Sequence, residues 1–199
     1  SDQAMLEDKG SAWLIGGESG VGKTRLMNEL RILALVRGAL VLRAQASSEA
    51  GTSFRFWREA LRHIILLVDV DDFEASILKP IFPDIESVIG RAVADPPFID
   101  PTAAQERLGT VIEAIFTRCE APILLLLEDL QWLPEGIGIV QRISRLTHTR
   151  RMLVVANYRD DERPTLHHDL PQMQHIRLSR LTRSAIGDLS ASMLGETNG

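Results

Sequence analysis

The segment from Gly17 to Thr24 constrains this chain more than any other part of its sequence. It is Gly-Glu-Ser-Gly-Val-Gly-Lys-Thr, which matches the pattern G-x-x-x-x-G-K-[ST] at every fixed position. A short apolar run, Ala12–Ile15, precedes it, and apolar residues at helical spacing follow it from about Gly22. We therefore predict a buried strand, a glycine-rich turn and a helix in that order, which is the structural setting that this motif requires.

This segment is suited to binding phosphate groups. Its three glycines let the backbone approach crowded phosphate oxygens, and successive N–H groups can then form an anion nest at the N-terminus of the following helix. Lys23 is expected to contact the β- and γ-phosphates of a nucleotide, and the Thr24 hydroxyl to ligate Mg²⁺. The predicted nucleotide-binding residues are Gly17, Glu18, Ser19, Gly20, Val21, Gly22, Lys23, Thr24 and Arg25.

Two acidic residues end a second apolar run, Pro122–Asp129. A continuous apolar run bounded by turns is typical of a strand buried on both faces. Glu128 and Asp129 then lie at the ligand-binding edge of a parallel sheet. One of them is expected to bind Mg²⁺ together with Thr24, directly or through water, and the other to orient or deprotonate an attacking water. Which acid has which role stays open, and a strand that simply ends in solvated acids is the alternative.

A third apolar run, Met152–Ala156, is followed by Asn157 and Arg159. In P-loop ATPases of the additional-strand type, the strand after the acidic strand lies between it and the P-loop strand. The end of this run would then face the γ-phosphate, so Asn157 or Arg159 could sense that phosphate. The alternative is an arginine that pairs on the surface with one of the acids at positions 160–162.

The remaining sequence completes an alternating α/β pattern. Five prolines between Asp71 and Pro101 indicate short helices and turns there. Alternating strands and helices predict a three-layer P-loop fold, a mainly parallel five-stranded sheet flanked by helices. The other predicted elements are strands at Ala39–Ala46 and Gln174–Leu178, and helices at Phe54–Val68, from an N-cap at Thr102 to about Arg118, at Gly136–Thr147, and from an N-cap at Thr182 to Leu194.

Length, composition and net charge limit the classes of protein to which this chain can belong. A chain of 199 residues suits one α/β domain over residues 1–199, and the lack of a natural-looking terminus after the last helix suggests a piece of a larger protein. The net charge of −5 provides no global basic field for nucleic acid or an anionic membrane. No apolar run approaches the ~20 residues that span a bilayer. The single cysteine, Cys119, lies on an apolar helical face, and a cytoplasmic location is expected.

Four segments together resemble a known family. They are GGESGVGKTRL, SFRFWREALR, LLLLEDLQWLPEG and VVANYRDDERP, and the resemblance extends from about Trp13 to Leu194. They are similar to the AAA-type ATPase domains of the STAND group, signal-transduction ATPases with numerous domains. Such modules occur in large bacterial transcriptional activators and are attached to some cyclases and serine/threonine kinases.

The resemblance implies specific roles and partners. Lys23 and Thr24 would bind phosphate and Mg²⁺, Glu128 and Asp129 would be the acidic pair, and Arg159 would be the sensor. It implies ATP or ADP with Mg²⁺ as ligands, further domains of the same chain and a possible homo-oligomer as partners, and a regulatory role in transcription or signalling. No direct nucleic-acid or membrane binding by this domain is expected.

The chain departs from the family pattern in two places. No Gly-Arg-Glu segment that would contact the base precedes Trp13, and the acidic pair is Glu-Asp where many relatives have Asp-Asp or Asp-Glu.

The leading functional hypothesis is a signalling switch that binds ATP and hydrolyses it slowly. Several other functions compete with it. A module that binds ADP or ATP without useful turnover is the main alternative, and a small-molecule kinase is a weaker one because Phe54–Arg62 offers only three arginines for a lid. A GTPase is disfavoured because Asn157–Asp160 lacks the lysine of N-K-x-D and the acidic strand lacks D-x-x-G. A transporter-type ATPase is disfavoured because no L-S-G-G-Q-like segment occurs.

Overall fold

The computed structural model describes residues 10–48, 53–179 and 183–194. Strands and helices alternate along most of the chain, as predicted. The strands are β1 (Ser11–Gly16), β2 (Leu40–Gln45), β3 (Ile123–Glu128), β4 (Met152–Tyr158) and β5 (Gln174–Arg177). The helices are α1 (Lys23–Val36), α2 (Ser53–Ile64), α3 (Asp72–Leu78), α4 (Ile85–Ile89), α5 (Pro101–Arg118), α6 (Ile137–Leu146), α7 (Leu166–Asp169) and α8 (Arg183–Met193).

The five strands form one sheet in the order β2-β3-β4-β1-β5, and every pairing in it is parallel. This confirms the α/β fold class and the additional-strand arrangement, because β4 lies between the acidic strand β3 and the strand β1 that leads into the glycine-rich turn. Parallel strands end at one common edge. The turn after β1 and the polar residues after β3 and β4 therefore meet at that edge.

Two apolar clusters cover the two faces of the sheet. Leu125 and Leu127 of β3 belong to the cluster that contains residues of α2, α5 and α6. Leu124 and Leu126 belong to the cluster formed with α1 and α8. Alternate residues of a strand point to opposite faces, so a strand covered on both sides must be apolar throughout, as β3 is. The prediction of a three-layer domain is confirmed.

Strand β4 is two residues longer than predicted. It includes Asn157 and Tyr158, and Asn157 pairs in register with Ile15 of β1. Asn157 is only 2% exposed, and its side-chain Oδ1 accepts a hydrogen bond from the backbone N–H of Asp129 at 3.1 Å. That bond satisfies the buried Oδ1 of Asn157.

The predicted N-cap of α5, Thr102, is wrong. The cap is Asp100, whose Oδ1 accepts a hydrogen bond from the N–H of Ala103 at 3.0 Å. Pro101 occupies the first helical position, where it needs no N–H partner and its fixed φ suits a helix. The predicted cap of the last helix, Thr182, lies outside the described residues.

Helix α2 is shorter than predicted, and the single cysteine is buried as predicted. Helix α2 ends at Ile64, four residues before the predicted end, and Leu66 and Leu67 just beyond it are exposed. Cys119 is buried next to α5, as expected from its apolar helical face.

None of the helices in the described ranges combines the length and the apolarity that crossing a bilayer would require.

Candidate functional site

The glycine-rich turn lies at the carboxyl edge of the sheet between β1 and α1. Gly20 and Gly22 have φ angles of 81° and 111°, in the left-handed region that favours glycine. A Cβ on Gly17 would lie 2.9 Å from the backbone oxygen of Leu178, so this position has no room for a side chain. Each glycine is therefore required by the local geometry.

Helix α1 begins directly at the end of this turn. Gly22 is its N-cap, with no capping side chain, and no acidic residue lies in the first turn. The first backbone N–H groups of the helix thus have neither a capping side chain nor an acidic residue of their own first turn. An uncapped helix N-terminus beside a glycine-rich turn is suited to an anion.

Lys23 is held inside the turn. Its Nζ donates hydrogen bonds to the carbonyl oxygens of Gly17 at 2.5 Å and Glu18 at 2.7 Å, and the residue is 9% exposed. Burial lowers the pKa of Lys23, while the carboxylate of Asp160 opposes that shift. Thr24 and Arg25, the next two residues, are exposed at the start of α1.

Glu128, the first predicted acid, is almost completely buried at the end of β3, with 4% exposed. It shares a face of the sheet with Leu124 and Leu126, and that face packs on α1. Its Oε1 accepts a hydrogen bond from Nε of Arg43 on β2 at 2.5 Å. Arg43 was not predicted from the sequence, because its proximity depends on the pairing of β2 with β3.

Asp129, the second predicted acid, has a different environment. It has a left-handed φ of 60°, which breaks the strand alternation directly after Glu128. Its Oδ2 accepts a hydrogen bond from Nε2 of Gln45 at 2.8 Å, and its backbone N–H is held by Asn157. The negative charge of Asp129 partly offsets the lowering of the Lys23 pKa by burial. The two acids are thus directed to different partners.

Arg159, the predicted sensor, is paired with acidic residues at the protein surface. Its guanidinium forms ion pairs with Asp161 at 3.0 Å and Glu162 at 2.6 Å, the surface pairing given as the alternative. The hydrogen bond to Asp161 raises the pKa of Arg159. The same guanidinium lowers the pKa of Lys23, which places its charge within electrostatic reach of the glycine-rich turn.

A cleft of about 650 Å³ opens beside the turn on the β5 side of the sheet. Asp160 lies on its wall with Oδ2 2.8 Å from Nε of Arg177, and Oδ1 is buried without a hydrogen-bond partner among the described residues. The sequence predicted Asp160 only as a possible surface partner of Arg159, and it gave no role to Arg177, because the approach of β5 to the end of β4 is not visible in the sequence. The lining residues are Glu18, Ser19, Val21, Asp160, Arg177, Leu178 and Ser179.

The fold and the geometry at its carboxyl edge define a P-loop nucleotide-binding domain. A family model described as the AAA ATPase domain matches residues 3–155, more than half of the chain. The chain therefore belongs to the AAA ATPase domain family. The resemblance stated from the sequence is confirmed at this level.

Similar solved structures include ORC proteins and DnaA. The Aeropyrum pernix ORC1 protein in complex with DNA is 18% identical, with a TM-score of 0.48 over 97% of this chain and 46% of that one. AMPPCP-bound DnaA from Aquifex aeolicus is 16% identical, with a TM-score of 0.42 over 99% of this chain and 49% of that one. Drosophila ORC bound to AT-rich DNA and Cdc6 is 14% identical, with a TM-score of 0.46 over 86% of this chain and 49% of that one.

This chain thus spans about half the length of these solved chains. No curated protein matches it.

Proposed function

We propose that this domain binds Mg²⁺ with ATP or ADP and acts as a nucleotide-dependent switch that hydrolyses ATP slowly. The observation that carries the proposal is the position of Lys23, held by two carbonyl oxygens of its own glycine-rich turn at the uncapped N-terminus of α1. The turn places a buried cation and free backbone donors around one small volume, which suits an anion of high charge density.

Phosphate binding would change the contacts of Lys23. Its ammonium would leave the carbonyls of Gly17 and Glu18 for phosphate oxygens, gaining charge-assisted hydrogen bonds in place of neutral ones. Negative phosphate charge would also offset the burial that lowers the pKa of Lys23. The exposed Thr24 and Arg25 begin α1 on the same rim of the site.

The oxygen-bearing residues at this edge fit Mg²⁺. Thr24, Glu128 and Asp129 offer a hydroxyl and two carboxylates, the hard ligands that Mg²⁺ prefers. We assign Glu128 to the ion, because it lies on the sheet face that packs on α1, and Asp129 to the attacking water. When bound, Mg²⁺ neutralises charge on the transferred phosphate. The residues of the chain orient the phosphates and the water.

The cleft beside β5 is the place we assign to the nucleoside. On the β4 side the turn is bounded by the buried, bonded Asn157, whereas on the β5 side the cleft is open. We propose adenine in preference to guanine, on the basis of the missing lysine in Asn157–Asp160 and the family membership.

Sensing of the third phosphate is assigned to the end of β4. Arg159 and Asn157 lie at the same sheet edge as the turn, because β4 pairs in parallel with β1. An interaction present with ATP and absent with ADP gives the differential affinity that a switch requires.

Binding without turnover is the second candidate. It is favoured by one observation, the ion pair that holds Glu128 to Arg43 and competes with a metal ion. We do not propose a small-molecule kinase, because Arg58 and Arg62 of α2 both pair with Asp84.

The wider role extends beyond the residues described. We propose that further domains of the same chain carry the signal, with regulation of transcription as one output, in a cytoplasmic bacterial protein of the STAND group that could form homo-oligomers. Direct nucleic-acid binding by this domain is not proposed, since the net charge is −5, although the ORC structures named above contain DNA.

The decisive experiment has two parts. Calorimetric titration with ADP, ATP and AMPPCP, with and without Mg²⁺, tests binding, and absence of heat with all three refutes the proposal. Phosphate release by a longer form of the protein, compared with its E128Q/D129N variant, distinguishes slow turnover from binding alone.

A further inference from the structure

We propose that Gln131 is a positioning residue of the nucleotide site, which holds the turn at residues 159–163 in register with Asp129 and thereby sets the discrimination between ATP and ADP. This inference rests on the proposed function, since it assigns regulation to the same site. Neither the glycine-rich motif nor the acidic pair includes Gln131, which lies in the short 3₁₀ turn Leu130–Trp132 after Asp129.

Two side-chain amides join the ends of β3 and β4 in opposite directions. Oδ1 of Asn157, on β4, accepts a hydrogen bond from the backbone N–H of Asp129 at 3.1 Å. Oε1 of Gln131, after β3, accepts one from the backbone N–H of Arg159 at 3.0 Å. Both amide residues are buried, 2% and 8% exposed, so water competes little for either bond. The backbone at Asp129 is thereby tied to the backbone at Arg159.

The orientation of the Gln131 amide follows from its partner. A backbone N–H requires an acceptor, so the oxygen must face Arg159 and the NH₂ group must point elsewhere. That Nε2 is buried and has no hydrogen-bond partner among the described residues. A buried donor without an acceptor is rare in a folded protein, and such groups concentrate at functional sites.

The residue that Gln131 holds begins a charged turn. The backbone oxygen of Arg159 accepts hydrogen bonds from the N–H groups of Glu162 and Arg163, which closes the turn. Arg159 is also paired within it to Asp161 and Glu162. This turn starts beside the glycine-rich turn, because β4 pairs in parallel with β1 and Tyr158 lies opposite Gly16. Its Asp160 lines the same cleft as Glu18 and Ser19. One hydrogen bond from Gln131 therefore fixes a charged segment next to the proposed phosphate site.

Loss of this bond should affect the third phosphate selectively. The turn at residues 159–163 would shift relative to Lys23, while the glycine-rich turn and α1, which bind the first two phosphates in our proposal, would keep their own contacts. The variant Gln131→Met removes the acceptor at similar volume. Gln141→Met is the matched control, because Gln141 of α6 donates its hydrogen bond to the backbone oxygen of Asp169 in α7 and not to the turn at residues 159–163.

The test measures the affinities of AMPPCP and ADP for each variant in Mg²⁺. We expect Q131M to lower the ratio of AMPPCP to ADP affinity by about threefold to tenfold, the effect of one lost hydrogen bond, with ADP affinity unchanged and Q141M equal to wild type. In the R159A background, Q131M should cause no further loss. An unchanged ratio, or an equal fall in both affinities, overturns the inference.

A second measurement does not depend on activity. Hydrogen exchange at the Arg159 amide should be slow in wild type, fast in Q131M, and slow in Q131E, which keeps an acceptor oxygen. If Q131M does not fold, the exchange rate of the Arg159 amide is compared between wild type and Q131E alone. Fast exchange of that amide in wild type overturns the inference. A wild type that binds no nucleotide refutes the proposed function itself, whereas normal binding with an unaltered ratio in Q131M refutes only the role of Gln131.

Discussion

Arg43 of β2 holds Glu128 at the end of β3, with Nε 2.5 Å from the carboxylate Oε1. The carboxylate is almost completely buried, while 43% of the arginine side chain is exposed. The parallel pairing of β2 with β3 places Gln45 opposite Glu128 and Arg43 two residues behind it on the same face. The ion pair therefore compensates a buried negative charge at the position we assign to Mg²⁺.

Removing Arg43 should destabilise the fold through Glu128. We expect R43M to lower the free energy of unfolding by about 1–3 kcal/mol, because a buried carboxylate loses its partner. The double variant R43M/E128Q should recover part of that loss, since the neutral amide is cheaper to bury. Urea unfolding of both variants and of E128Q measures the coupling. R58M, which breaks the Arg58–Asp84 pair, is the control, and strictly additive effects would show that Arg43 and Glu128 are independent.

Replacing Lys23 should abolish or severely weaken nucleotide binding and leave the fold intact. The K23A variant loses the charge-assisted phosphate contact, and the carbonyls of buried Gly17 and exposed Glu18 lose a donor. Calorimetry with ATP and ADP measures the loss, and circular dichroism checks the fold. K79A is the control, because Lys79 pairs with Glu86 and Asp95. ATP affinity equal to that of wild type in K23A would refute the P-loop assignment.

Gly22 should not tolerate a side chain. Its φ of 111° is strained for any L-residue, so G22A should lower the free energy of unfolding by about 1 kcal/mol or more and weaken nucleotide binding. Gly187 provides the matched control, because it is exposed within α8 and a Cβ there meets nothing within 4 Å. G187A should stabilise the helix by about 0.5–1 kcal/mol. Thermal unfolding of the pair measures both effects, and equal shifts would contradict the prediction.

Adenine nucleotides should bind more tightly than guanine nucleotides. The sequence Asn157–Asp160 lacks the lysine of the guanine-binding motif, and Asn157 is buried with its Oδ1 bonded to the Asp129 backbone. A buried, engaged asparagine is not available to contact a base. Displacement of a fluorescent ATP analogue by ATP, ADP, GTP and GDP provides the measurement. Equal displacement by ATP and GTP would contradict the adenine preference.

Arg159 should report the γ-phosphate. R159A should reduce the difference between ATP and ADP affinity and lower any turnover, with little effect on ADP affinity, because the lost charge lies near the third phosphate in our proposal. Binding constants for both nucleotides in Mg²⁺ measure the effect. R142A is the control, because Arg142 of α6 pairs with Glu106 and Glu113 of α5 and not with residues of the site. If R159A lowered both affinities equally or neither, Arg159 would be only the surface ion-pair residue that its contacts with Asp161 and Glu162 allow.

Local sequence determined the main framework of this protein. An α/β P-loop domain is predicted from three features: the glycine-rich turn, the apolar run of β3, and the alternation of strands with helices. Each depends on residues close together in the sequence, because glycine permits a positive φ and a strand buried on both faces must be apolar throughout. The order in which β4 lies between β3 and β1 was also predicted, from the P-loop class. The cap Asp100 was missed, because Thr102 is also a common capping residue, although Asp ranks above Thr at this position and a proline at the first helical position favours Asp100.

The tertiary structure alone decided which side chains meet at the sheet edge. The contacts Arg43–Glu128, Gln45–Asp129 and Gln131–Arg159 join residues 28 to 85 positions apart. None of them leaves a periodic pattern in the sequence, because each depends on strand register and on the left-handed turn at Asp129. Local propensity acts over a few residues, whereas the environment of a buried charge depends on every element packed around it, so the partners of Glu128, Asp129 and Arg159 became visible only in the folded chain.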